Sequence, residues 1–257
     1  MEQNGIALLI DADNCPASKL TVILDELSKY GVINIRRAYG DWKSPALNGW
    51  ADILHDHAIQ PVQQFAYTKG KNATDSAIII DAMDLLHGQK LSAFGIASSD
   101  SDFTPLAMRL RANGLKVFGF GEKKTPPAFV NACTKFLFLE SLGQPASTEV
   151  SHAAAPAMPQ RKTASELRGD TRLVTHLRNA VAAISDEEGW AGLGGVGSHI
   201  NKNWPAFDQR NYGYAKLGDL VIASELFELR RDNHNHMQLR STGKKSQKAK
   251  PAEKSAQ

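Results

Sequence analysis

Residues 95–120, GIASSDSDFTPLAMRLRANGLKVFGF, contain a strand end, a helix and a second strand in unbroken succession. The apolar run from Ala93 to Ala97 reads as a buried strand, Pro105 to Asn113 as a helix, and KVFGF (116–120) as the next strand. Gly114 closes the helix at the position where a left-handed residue is favoured. The same rhythm extends outward in both directions. Upstream, IALLI (6–10) reads as a strand, Ala17–Tyr30 as a helix ended near Gly31, Val32–Tyr39 as a strand and Asn48–His57 as a helix. A short strand near Pro61–Phe65 and a helix from about Thr74 to Leu86 follow, and downstream come a helix near Pro127–Cys133 and the strand FLFLE. Short apolar runs alternating with amphipathic segments predict an α/β fold, a parallel sheet covered by helices.

A chain of 257 residues, 42% hydrophobic and 22% charged, has the composition of a soluble globular protein with room for one medium and one small domain. Its longest apolar runs are too short to span a bilayer, and MEQNG lacks the basic and apolar regions of a signal peptide, so the expected location is the cytoplasm, with no membrane partner. Two cysteines, Cys15 and Cys133, make neither a disulfide framework nor a structural zinc site. The net charge of +3 is unevenly distributed. Residues 1–142 carry 14 Lys/Arg against 15 Asp/Glu, whereas residues 143–257 carry 16 against 12, five of the lysines lying between Lys244 and Lys254. This C-terminal excess suits a polyanionic partner, though a lysine tail is also a common solubilising end.

Four segments follow from composition. Residues 1–142 form the α/β domain; 143–165, rich in Pro, Ala, Ser and Gly, form a linker; 166–240 form a second domain; 241–257 form a basic tail. In the second domain the pattern predicts one long helix over LRGDTRLVTHLRNAVAAISD, a second over LGGVGSHINKNW and a third over LGDLVIASELFELRRD, with MQLR as a terminal strand. Three helices and a strand in this length predict a small winged-helix module.

The acidic residues of the first domain recur at matched places. Asp11 ends the first strand, with Asp13 and Asn14 in the following loop. Asp75 falls in the first turn of a helix, with Asp81 and Asp84 further along it, and Asp100 and Asp102 follow the strand at 93–97. Taken singly, each is as well explained as a helix cap or a solvated charge, and Pro105 suits a first helical turn. Taken together, three segments deliver carboxylates to the edge of a parallel sheet where ligands bind. Such a cluster repels itself unless a cation neutralises it. All-oxygen donors suit Mg²⁺ or Mn²⁺, and the natural chemistry is metal-dependent hydrolysis of a phosphodiester.

The ordered series IDADN, RRAYGDW, KNATDSAIIIDAMD and IASSDSDFTPLAMRLRANGLKVFGFG resembles the NYN domain, a branch of the PIN-like ribonucleases that includes LabA-like and limkain-type proteins. The resemblance covers about residues 5–142 and implies RNA cleavage with a divalent metal held at Asp11, Asp75, Asp100 and Asp102. Asn14 matches the asparagine of the family's D-x-x-N, and Asp81 and Asp13 match secondary acidic positions. The frequent SGDSDF stands here as SSDSDF. The second segment, with VGSHINKNWPAFDQRNYGYAKLGDLVIASELFEL, resembles the OST-HTH or LOTUS domain, which implies RNA binding or contact with a protein partner. Its Trp190, Trp204, Phe207 and Tyr212 read as core. Lys202, Arg210 and Lys216 are the candidates for phosphate contacts there; in the first domain the candidates are Arg36, Arg37, Lys43, Lys69 and Lys71. Two other readings remain open. DADNC is similar to the D-x-D motif of haloacid-dehalogenase-like phosphatases, with Asp11 as nucleophile and Asp13 as acid/base. The chain could also act as a non-catalytic RNA adaptor.

Overall fold

The computed structural model describes residues 5–65, 73–142, 161–233 and 235–242. Strand β1 (Gly5–Asp11) is the centre of the first sheet. Its seven residues are all buried, which is why it reads as a continuous apolar run rather than an alternating one. Around it stand β2 (Ile33–Gly40), β3 (Gln60–Gln63), β4 (Leu91–Ala97), β5 (Lys116–Gly121) and β6 (Lys135–Phe138) in the order β3-β2-β1-β4-β5-β6, every pair parallel. The connection after β1 leads to β2 on one side, and the connection after β4 leads to β5 on the other. The chain direction therefore diverges between the C-terminal ends of β1 and β4, the switch point at which open α/β sheets bind ligands.

Alternating residues of β1 serve opposite faces. Ile6, Leu8 and Ile10 share one core with Leu20, Ile23 and Leu27 of α1 (Leu20–Ser28), Trp50, and Leu54 of α2 (Ala51–Asp56). Ala7 and Leu9 share the other with α3 (Ala73–Gly88), α4 (Thr104–Ala112) and α5 (Pro127–Ala132). Helix α3 buries Ile78, Ala82 and Leu85, one stripe at helical spacing, and α4 buries Leu106 and Leu110. Each large apolar side chain so buried contributes about 1.5–3 kcal/mol. This is a PIN-like α/β sheet flanked by helices, as the strand–helix rhythm predicts.

The C-terminal part departs from the expected elements in two places. The expected long helix is two: α6 (Ala164–Gly169) and α7 (Thr171–Ile184). Asp170 separates them because its side chain accepts the backbone N–H of Leu173 at 3.0 Å, so a cap is made where the periodicity predicts an unbroken helix. A capping box of Thr163 and Glu166 starts α6 within the segment assigned to the linker. The third expected helix also ends early. α9 (Leu217–Ser224) stops at Glu225, whose φ is +52°, and the next residues form β8 (Phe227–Arg231), antiparallel to β9 (Met237–Ser241). With β7 (Ala191–Gly192) they make a three-stranded sheet ordered β7-β9-β8, and α8 (Leu193–Asn203) fills the expected second helical segment. The four aromatics read as core, Trp190, Trp204, Phe207 and Tyr212, are buried.

The chain divides into two compact units, Met1–Arg161 with Ser198–Lys216, and Lys162–Gly197 with Leu217–Gln257. Residues 198–216 thus group with the α/β sheet rather than with the rest of the expected second domain. Within that first unit the N–H of Phe136 donates to the carbonyl of Pro205 at 2.9 Å, and Ala206 packs against the core on the α3 face. Among the described residues no helix is long and apolar enough to cross a membrane.

Candidate metal centre

The sheet edge at β1 and β4 is acidic because both strands end there in aspartate-bearing loops. Asp75 of α3, Asp100 and Asp102 offer carboxylate oxygens that all lie within 4.8 Å of one another, the one group among the described residues with this spacing. Asp100 begins a short 3-10 turn (Ser101–Phe103) and its Oδ1 accepts the N–H of Asp102 at 2.9 Å. Capping and ligation are therefore compatible at this residue: one oxygen holds the turn that aims Asp102. Asp75 is buried, and its carboxyl is pushed up to about 6, first by burial and then by the charges of Asp11, Asp100, Asp102 and Asp13.

Asp11 lies beside this trio without belonging to it. Only 1% exposed, it accepts at Oδ2 from Asn14 Nδ2 at 2.8 Å and from the Ser98 hydroxyl at 2.9 Å. Ser98 Oγ in turn accepts the N–H of Asp100 at 3.1 Å, so a single hydroxyl ties the end of β1 to the loop after β4. Burial raises the Asp11 pKa, the bonds from Asn14 and Ser98 oppose this, and Asp13 adds to it. The other oxygen, Oδ1, is buried with no hydrogen-bond donor. A buried carboxylate oxygen without a donor costs about 1–3 kcal/mol or more, and a cation removes that cost. Three clustered carboxylates and this orphaned oxygen fit a hard divalent ion.

The secondary residues separate into two places. Asp13 is exposed at the same edge, where its Oδ2 accepts from Thr74 Oγ1 at 3.0 Å and so joins the loop after β1 to the start of α3. Asp81 is elsewhere: its two oxygens accept from Arg37 Nη1 and from the hydroxyl of the fully buried Tyr39. Six residues after Asp75 on α3, it lies about 9 Å further along the helix axis. Among the basic candidates, Arg37 also donates to Gln60, and Arg36 donates to the His57 carbonyl at 3.0 Å. Arg210 is held between Glu26 and Asp208. Lys43, Lys202 and Lys216 are exposed, while Lys69 and Lys71 lie outside the described residues. An open cleft of about 530 Å³ is lined by Asp75 and Asp102 together with Ile79, Pro105 and Ala128.

Sequence reasoning missed Ser98, and its only signal was a hydroxyl at the last buried position before the acidic loop. The serine that replaces the family's usual glycine, Ser99, accepts the N–H of Glu122 at 2.9 Å and fastens the neighbouring loop. Close packing at this edge also requires Gly121, where a Cβ would come within 2.7 Å of the Ser98 carbonyl oxygen.

A six-stranded parallel sheet with carboxylates gathered at its switch point defines a PIN-like protein. The NYN domain model matches residues 5–140 and the OST-HTH/LOTUS domain model residues 170–238, in that order. The chain belongs to the NYN domain family, and its pair of domains is that of a nuclease-like, RNA-associated protein. Among solved structures it is similar to a protein of unknown function from Vibrio parahaemolyticus, with 17% identity and a TM-score of 0.44 over 54% of this chain and 94% of that one. No curated protein matches it.

Proposed function

We propose that the protein is a divalent-metal-dependent ribonuclease that hydrolyses RNA phosphodiester bonds, with Mg²⁺ or Mn²⁺ held by Asp75, Asp100 and Asp102. The observation that carries this reading is the meeting of these three carboxylates, from two segments 25 residues apart in sequence, within 4.8 Å at the sheet edge. A divalent ion there supplies neutralisation of the cluster, a more acidic water and stabilisation of charge on the phosphate. The protein's own part is positioning. Asn14 and Ser98 hold Asp11 in one orientation and leave Oδ1 as an acceptor beside the trio. Asp100 fixes the turn that presents Asp102, and Thr74 with Asp13 fixes the start of α3 that presents Asp75. RNA is the expected partner of the OST-HTH/LOTUS segment, with exposed Lys202 and Lys216 as its phosphate contacts. The covalent phosphatase reading is disfavoured by Asp11, which is buried and has one oxygen already occupied by two donors.

The test is cleavage of a mixed RNA pool by the full-length protein with Mg²⁺ or Mn²⁺ and with EDTA. Cleavage is expected only with metal, and Asp100→Asn is expected to lower the rate on the order of a hundredfold or more. In solvent enriched in oxygen-18, the label should enter the product phosphate in a single turnover. Full activity of Asp100→Asn, or label appearing first on an enzyme aspartate, refutes the proposal.

A further inference from the structure

The open cleft that adjoins the acidic trio is lined by two unlike sets of side chains. Asp75 and Asp102, two of the three clustered carboxylates, belong to one set, and Ile79, Pro105 and Ala128 to the other. Their proximity follows from chain connectivity. Ile79 stands one turn after Asp75 on the same face of α3, about 6 Å along the axis. Pro105 is in the first turn of α4, three residues after Asp102, and Ala128 is in the first turn of α5. Pro105 and Ala128 are exposed, while Ile79 is half-buried against the core beneath. Ser76, Ser101 and Thr104 complete the lining, and the Thr104 hydroxyl donates to the Ser101 carbonyl at 2.6 Å. Among the described residues that line the cleft there is no side-chain amide, imidazole or guanidinium.

The volume, about 530 Å³, falls within the range of about 300–1,000 Å³ typical of small-ligand sites. The metal centre decides which part of an RNA lies there. The scissile phosphate belongs on the carboxylate-held ion, so the adjoining wall meets the nucleotide next to it. An apolar wall gives a phosphate or a ribose nothing to bond, whereas a base packs its ring face on apolar side chains. Reading a base edge needs fixed donors and acceptors, and a serine or threonine hydroxyl rotates to serve as either. We infer that Ile79, Pro105 and Ala128 form a subsite for the base flanking the scissile phosphate, and that this subsite registers the presence of a base without reading its identity. Resting on the ribonuclease reading, the subsite adds the part of the substrate that the centre grips.

The test uses full-length protein, Mn²⁺ and oligoribonucleotides of one length in which a single abasic residue is moved along the chain. Product mapping should show the bond on one side of the abasic residue cut roughly tenfold more slowly, the order of one lost base contact. Exchanging that base among all four should change the rate by less than its removal does. Ala128→Trp fills the cleft from its exposed side. This variant should cut the unmodified oligoribonucleotide roughly tenfold more slowly than the wild type and show no further loss at the abasic residue. Its melting temperature and its calorimetric Mn²⁺ affinity should match the wild type, and Ala128→Ser should cut as the wild type does. The abasic series stands on the wild type alone, whatever the folding of the variant. An abasic residue without effect, a preference among bases as large as the abasic loss, or a folded Ala128→Trp that still slows at the abasic residue overturns the subsite and leaves the ribonuclease reading standing. Absence of metal-dependent cleavage by the wild type overturns both.

Discussion

At the scale of single residues, Asp75 carries the sharpest prediction. Its carboxyl binds a proton more tightly in the folded chain than in the unfolded one, with a pKa of about 6 against 3.8. The unfavourable contribution is therefore absent below pH 4, grows as pH rises and is complete above about 6. In EDTA, the wild-type protein should lose stability across that interval, and Asp75→Asn should not. At pH 7 the variant gains at most about 3 kcal/mol, since each pKa unit is worth about 1.4 kcal/mol, and solvent screening at the open cleft lowers the gain below that ceiling. Adding Mg²⁺ or Mn²⁺ should stabilise the wild type and leave the variant little changed, because the ion neutralises the same cluster. Thermal denaturation with and without metal from pH 4 to 7 measures all of these effects.

Among elements, α3 matters most because it brings Asp75 to the sheet edge. The bond of Asp81 to Tyr39 and Arg37 pins that helix to β2 through a buried hydroxyl. Burial, followed by the hydrogen bond to Asp81 and then the Asp81 charge, raises the Tyr39 pKa, which keeps the phenol protonated as a donor. Asp81→Ala leaves this hydroxyl without its acceptor and should cost about 1–3 kcal/mol of stability. It should also weaken metal binding by a modest factor, since the helix that carries Asp75 is loosened while all three carboxylates remain. Asp100→Asn should do the reverse, with a large loss of metal affinity and little loss of stability. Calorimetric metal titration beside thermal melts separates a positioning residue from a ligand. In the sequence both are aspartates on one helix, with Asp81 ranked second to Asp75 only through the resemblance. The placement of Arg37 and Tyr39 on β2 gives Asp81 its own partners, away from the cluster.

Over the whole molecule, the basic residues of the C-terminal half differ in their surroundings. Arg210 donates to both Glu26 and Asp208, each almost fully buried, and these bonds raise its pKa further. Arg210→Ala leaves Asp208 without its guanidinium partner and Glu26 with Lys29 alone, and should cost up to about 3–5 kcal/mol. Lys202→Ala with Lys216→Ala removes exposed charge alone. That pair should leave the melting temperature unchanged and lower the salt slope of RNA binding by about 1.4, roughly 0.7 for each lost contact. Melting curves and a salt series on the three full-length proteins test the distinction. Equal salt slopes for wild type and the double variant would favour a protein-docking role for the OST-HTH/LOTUS segment.

The parallel sheet, its helices and the convergence of Asp75, Asp100 and Asp102 were legible in the chain. Strand length, helical period and capping residues are local properties, and a parallel α/β topology forces the ends of β1 and β4 to one edge. The break at Asp170 and the strand at Phe227–Arg231 were not legible. At Asp170 the helical period runs on and only the cap divides it, whereas Phe227–Arg231 satisfies helix and strand periods alike and its pairing with β9 decides. Tertiary structure alone assigned Ser98 to Asp11, Asp81 to Tyr39, Arg210 to Glu26 and Lys43 to Phe65. Each of these contacts joins residues far apart in sequence, and their energies depend on distance and burial in space, quantities that the order of residues does not contain.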